Sequence, residues 1–248
     1  MADPIHQFEI HPLIKLSAGS LDLSYTNSSL WMTIAVIVSS VFLTLAMSRK
    51  ALVPSRPQMF AEILYDFVAG MIRENIGAKG RQYFPLIFTL FVVVLLGNVL
   101  GLLPYSFTYT SHLVVTAVLA LMIFSFVIVI GIFKHGLHFF SLFLPPGVPG
   151  WLVPLIIPIE VMSFLIRPLT LSVRLFANMI AGHIMLKVFA GFTISMMSMG
   201  LGGYALGVLP MVFNSVLIGF EFLIAFLQAY VFAILSCIYL KDTIEIGH

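Results

Sequence analysis

Residues 84–133 contain no Asp, Glu, Lys or Arg. A soluble domain carries about 25% charged residues, so an uncharged run of this length belongs in lipid. There each backbone N–H and C=O has to be bonded internally, which an α-helix does within one segment. A hydrocarbon core about 30 Å thick takes about 20 helical residues. The run therefore divides into two spans, with a turn near Pro104 to Ser111. The whole chain repeats this balance, with 60% hydrophobic and 9% charged residues among 248. These values predict an all-α, polytopic integral membrane protein with no separate soluble domain. A net charge of +2 is too small to argue for nucleic acid. The one cysteine, Cys237, excludes an internal disulfide and a cysteine-based metal cluster. No cofactor is expected. The first residues have neither the basic n-region of a secretory signal nor the arginine-rich character of a transit peptide.

In chain order, residues 1–29 are polar to mixed, with Pro4, Pro12 and Gly19 interrupting any long helix. Residues 30–47 are uncharged and long enough for a first span. Residues 48–82 hold six basic residues, against only Lys15 in 1–29. The positive-inside rule then puts this loop in the cytoplasm or matrix and the N-terminus outside. Pro57 opens an amphipathic helix over 57–74, with Phe60, Ile63, Leu64, Phe67, Val68, Met71 and Ile72 at helical spacing. Glu62, Asp66, Arg73 and Glu74 take the other side, so this helix lies on the membrane or on a partner. The two spans of 83–133 follow, with Asn98 and His112 as their most polar members. Lys134, His135 and His138 return the chain to the inner side, and residues 145–150 form a loop.

Residues 151–240 are the unusual part: a hairpin of two apolar stretches, each too long to cross a membrane upright. They tilt steeply, bend or break, with Pro154, Pro158, Pro168, Gly182 and Pro210 as bending points. The turn falls at 199–203, giving five membrane helices and a C-terminus inside. No internal repeat is visible. Only Glu160, Arg167, Arg174, Lys187 and Glu221 are charged within 151–240. Arginine stays protonated in a protein, and at a membrane midplane it costs at least about 2.5 kcal/mol. At 100° per residue Arg167, Arg174 and Asn178 share one face, with Glu160 close to it. Glu221 and Gln228 share a face of the second helix. An antiparallel hairpin about Leu201 sets Glu160 level with Asp242, Arg174 with Gln228, and His183 with Glu221. His183, however, projects from the side opposite Arg174, so its contact with Glu221 needs a distortion at Gly182 or a bridging water.

Ser172-Val173-Arg174-Leu175-Phe176-Ala177-Asn178, continuing to Gly182-His183, resembles subunit a of F-type ATP synthases. So do Phe220-Glu221-Phe222 through Gln228, Leu95 through Pro104, and Ser111-His112-Leu113. The similarity is greatest to the alphaproteobacterial and mitochondrial forms. It implies the stationary proton channel of a rotary motor, with no catalysis of its own. Arg174 matches the family's essential arginine, opposite the proton-carrying carboxylate of a rotating c-ring. Gln228 matches the glutamine beside it. His183 and Glu221 hold an acid and a histidine in exchanged order relative to many bacterial members, and Gly101 stands where some carry an aspartate. The implied proton-path residues are Arg174, Glu221, His183, Gln228, Asn178 and Glu160. The implied partners are the c-ring, peripheral-stalk b-type subunits and the rest of the synthase, in a bacterial inner or mitochondrial inner membrane.

Plainer readings stand beside these. Arg174 pairs structurally with Glu221 or Glu160. Asn178 and Gln228 are interhelical glue. His183 only packs or bonds a carbonyl. Arg167 and Lys187 snorkel to an interface. As a whole, the chain could instead belong to a secondary transporter, which would show repeats and a substrate pocket. A haem-holding respiratory subunit would need axial ligands facing each other across helices.

Overall fold

The computed structural model describes residues 9–15, 17–18, 21–22, 24–48, 54–103, 106–136, 139, 143–144, 150–198 and 200–244. Pro4, His6, Gly19, Arg49, Lys50, Pro104, His138, Met199, residues 145–149 and the last four residues lie outside them. The described chain is helical, with six α-helices: α1 (Asn27–Met47), α2 (Arg56–Asn75), α3 (Phe84–Gly101), α4 (Leu113–His135), α5 (Val153–Met197) and α6 (Leu201–Ile244). All except α2 belong to segments long and apolar enough to cross a membrane, five in number. The protein is thus an all-α polytopic membrane protein.

Short strands ahead of α1 were not expected. β1 (Pro12–Ile14) pairs antiparallel with β4 (Tyr25–Thr26), and β2 (Ser17–Ala18) with β3 (Leu21–Asp22). Asn27 ties this ribbon to the helix. Its Oδ1 accepts from the His11 and Ser28 amides, and its Nδ2 donates to the Glu9 carbonyl. Thr26 caps α1, its Oγ1 accepting from the Ser29 amide at 3.4 Å, while Asn27 holds the segment before the first strand.

The fold forms two compact units. The first comprises residues 1–45, 92–112 and 175–229; the second comprises 46–91, 113–174 and 230–248. In the second, α2 carries Pro57 in its first turn, where a missing N–H costs nothing. It buries Ala61, Val68, Met71 and Ile72, while Phe60 and Ile63 stay about half exposed. The apolar stripe is therefore wider than the face that packs within the chain, as suits a helix at a membrane surface. Phe67 packs on Phe91 and Tyr230, and Phe164 on Phe124 and Phe143. Gly131 of α4 lets Phe139 and Thr243 approach, since a Cβ there would lie within 2.6 Å of both.

α5 and α6, of 45 and 44 residues, do not break at their prolines. Each helix continues through Pro158, Pro168 or Pro210. At about 1.5 Å per residue they reach roughly 65 Å, over twice the hydrocarbon thickness. Each must lean or protrude. The turn between them is tighter than a five-residue loop, because α6 already begins at Leu201. Gly200 makes this possible at φ +94°, a region that costs other residues a Cβ clash. Its carbonyl accepts from Gly203 and Tyr204 to start α6.

Candidate functional site

In the first unit the polar residues of α5 and α6 meet. Gly207 of α6 lies against Met197 and Thr193 of α5 nearest the turn, and Phe189 stacks on Phe213 at 5.7 Å beyond it. Further along, Gly182 of α5 lies against the Glu221 carboxyl of α6. A Cβ at position 182 would collide with Glu221 Oε1 and stand 2.7 Å from its Cδ. Only glycine leaves the carboxyl that space. Glu221 Oε2 is buried without a hydrogen-bond partner among the described residues. Beside it is a cavity of about 410 Å³, lined in part by Leu102, Asn178, Gly182, Met185 and Leu217.

Asn178 Nδ2 donates to Gln228 Oε1 at 3.0 Å. Gln228 is buried, and its Nε2 lacks a partner among the described residues. His183 forms no hydrogen bond to Glu221. Its Nε2 lies 3.1 Å from Thr108 Oγ1, and Thr108 Oγ1 also donates to the Gly101 carbonyl at 3.2 Å. The threonine hydroxyl can donate or accept, so this contact serves either tautomer of the imidazole. Glu221 thus meets the turn of α5 that an antiparallel hairpin about Leu201 sets level with it, but against Gly182 and not His183. Position 182 faces α6, and position 183 faces the Thr108 segment.

Thr108 joins this site without having been singled out for it, beside Gly101 and Asn98, which the sequence marks only by resemblance and by polarity. Thr108 lies in the polar run 106–112 that ends an apolar span, and that polarity was the available signal. Gly101 takes part because Thr108 fills its side: a Cβ there would stand 2.6 Å from Thr108 Cγ2 and Oγ1. Asn98 is fully buried and donates to the Ala225 carbonyl at 3.3 Å, leaving its Oδ1 unpartnered among the described residues. Orphan buried polar atoms cost roughly 1–3 kcal/mol each. Glu221 Oε2, Gln228 Nε2 and Asn98 Oδ1 therefore give this unit donors and acceptors that water or a proton can use. Among the described residues, no group of three or more His, Cys, Asp or Glu is placed to hold a metal ion.

The second unit holds Arg174 and Glu160. Arg174 is at the midpoint of α5, exposed, and forms no hydrogen bond or ion pair among the described residues. Glu160 is half-buried and likewise lacks an ion pair there. The structural pairing of Arg174 with Glu160 is therefore not made. Arg167 binds Asp242, Nη1 to Oδ2 at 2.9 Å, with its guanidinium over the Phe164 and Tyr239 rings. Asp242 thus meets a residue two turns along α5 from Glu160, which the symmetric hairpin had set level with it. Helices carrying prolines at different places do not keep residue-for-residue register.

The chain matches the ATP synthase A chain family over residues 29–241. That span is most of its length. The chain belongs to this family. The ATP synthase subunit a of Chelativorans sp. strain BNC1 is 55% identical over 246 residues, covering 99% of each chain. Those of Agrobacterium fabrum strain C58 and Allorhizobium ampelinum strain S4 are each 52% identical, over 246 and 245 residues, with 98–99% of each chain covered. The family therefore extends across the segments bearing Arg174, Glu221 and Gln228, as their motifs implied. With alphaproteobacterial relatives and five spanning helices, this family member is a bacterial membrane protein.

Proposed function

We propose that the chain is the stationary proton-channel subunit of a rotary F-type ATP synthase in a bacterial inner membrane. The observation that carries this reading is Arg174: a permanent charge at the midpoint of an apolar helix, exposed, with no ion pair among the described residues. A charge so costly in hydrocarbon needs a counter-charge, and a carboxylate on a c-ring supplies one from outside the chain. Protons enter near Glu221 and His183, where Glu221 Oε2 can take and release one. They pass to the ring carboxylate, travel with it, and leave near Glu160. Asn178 and Gln228 hold the polar seam between α5 and α6. Arg174 favours the ionised ring carboxylate as it arrives and repels a proton crossing directly. The membrane potential supplies about 2.3 kcal/mol per charge per 100 mV.

The test is what the chain carries out of the membrane in mild detergent. A ring of small two-helix proteins, b-type stalk subunits and a soluble ATPase should co-purify; a chain recovered alone or with haem proteins would contradict the reading. The same proposal orients the chain with its N-terminus outside and C-terminus in the cytoplasm. Cysteines at the exposed positions Lys15 and Ser55 should then react with an impermeant reagent from outside and inside respectively. Cys237, being buried, should stay silent. The reverse pattern would exchange the two half-channels.

Gly182→Ala isolates the placement of the carboxyl. Alanine is the better helix former by about 1 kcal/mol, and its methyl collides only with the flexible end of Glu221. Thermal stability should change little, while proton-driven synthesis falls severalfold. Unchanged synthesis would show that the position of the Glu221 carboxyl does not matter.

A further inference from the structure

The second unit carries a basic pocket that the proton path does not use. Lys79, Arg81, Gln82 and Lys134 line it together with Ala78, around about 600 Å³. A cavity of about 630 Å³ adjoins it, sharing Ala78 and Arg81. Its walls are largely apolar, including Tyr65, Ala69, Ile72, Phe84 and Pro85, with Arg73 at its polar side. Tyr65 and Phe84 close one wall, with ring centroids 4.6 Å apart. No carboxylate lines either cavity among the described residues. Arg73, Lys79, Arg81 and Lys134 are exposed and form no ion pairs there. Glu62 of α2 accepts from Gln58 Nε2 at 2.9 Å, and neither Asp66 nor Glu74 of the same helix lines the cavities.

Position narrows the ligand. Lys134 is in the last turn of α4 and Phe84 is the first residue of α3, so the cations gather where two spans end. That level is where hydrocarbon gives way to headgroups. Basic pockets at such span ends are suited to anionic headgroups. A free phosphate would use the cations and leave the apolar cavity without purpose. An acidic peptide would not need a wall of Tyr65, Ile72 and Phe84 at membrane depth.

We propose that these joined cavities bind an anionic phospholipid, with the phosphodiester on Lys79, Arg81 and Lys134 and an acyl chain along Tyr65, Ile72 and Phe84. The site is independent of the proton path. It would hold a lipid between α2 and the ends of α3 and α4, where an annular lipid would otherwise exchange freely.

The test uses the intact complex in nanodiscs of phosphatidylcholine with a minor fraction of phosphatidylglycerol. After detergent extraction, retained phosphatidylglycerol per complex is counted by mass spectrometry. The wild type should retain it well above its share in the disc. Lys79→Gln/Arg81→Gln/Lys134→Gln should lose that enrichment about tenfold or more, since each cation near the surface is worth roughly fivefold. Lys79→Arg/Lys134→Arg should keep it, and Lys134→Gln alone should lose part of it. Inorganic phosphate should not displace the lipid. Equal retention by the triple variant, or no enrichment in the wild type, would overturn the proposal. So would displacement by phosphate, which marks a soluble-anion site. Loss of stalk subunits with lipid retained would overturn it in favour of a protein interface.

Discussion

Arg174→Ala should reduce proton-driven ATP synthesis to the background of the assay. The guanidinium is exposed at the midpoint of α5 and forms no ion pair among the described residues, so its removal breaks no such pair and should leave assembly intact. It does remove the charge that draws a proton off the arriving carboxylate. A carboxylic acid in hydrocarbon holds its proton unless a cation favours the ionised form. Arg174→Lys should fail as well, for a different reason. The ammonium is a compact, strongly hydrated point charge without the planar fork. Comparable synthesis in wild type and the lysine variant would show that charge alone suffices.

Glu221→Gln should lower synthesis by roughly two orders of magnitude or more, the usual loss when a positioned proton carrier is removed. Glutamine keeps the shape that Gly182 admits, and so separates titration from packing. His183 acts through a different neighbour, Thr108, at 3.1 Å. The exchange Glu221→His with His183→Glu should recover more activity than either change alone, provided the two groups serve one path. Recovery will be partial, because a ring at 221 must fit against Gly182 and a carboxyl at 183 must bond Thr108. Strictly additive losses would show that the two positions are uncoupled.

Much of the fold was legible because lipid imposes simple rules. The uncharged runs at 30–47 and 84–133 pointed to three spans, the charge-poor 151–240 to the last two, and Pro57 with a 3.6-residue period to α2. The ribbon of β1 to β4 was not legible, since strands of two or three residues have no measurable period. Within the site, Glu221 was placed at the correct turn of α5, yet its neighbour is Gly182 and not His183. Counting residues from a hairpin apex gives depth; only the packed helices fix azimuth. The same limit explains Asp242, which meets Arg167 and not the level of Glu160. Thr108 was hidden because a turn between spans has no periodicity from which its contact with α5 could be read.

Passive proton flux, measured in vesicles bearing the membrane sector stripped of its ATPase head, tests the role of Arg174 most directly. In Arg174→Ala a ring carboxylate can pass between half-channels still protonated, so flux should rise above wild type although synthesis is lost. Arg174→Lys should suppress that leak at least partly while its ammonium remains charged. Normal synthesis in the alanine variant, with flux no higher than wild type, would contradict the assignment of Arg174 as the residue that separates the two half-channels.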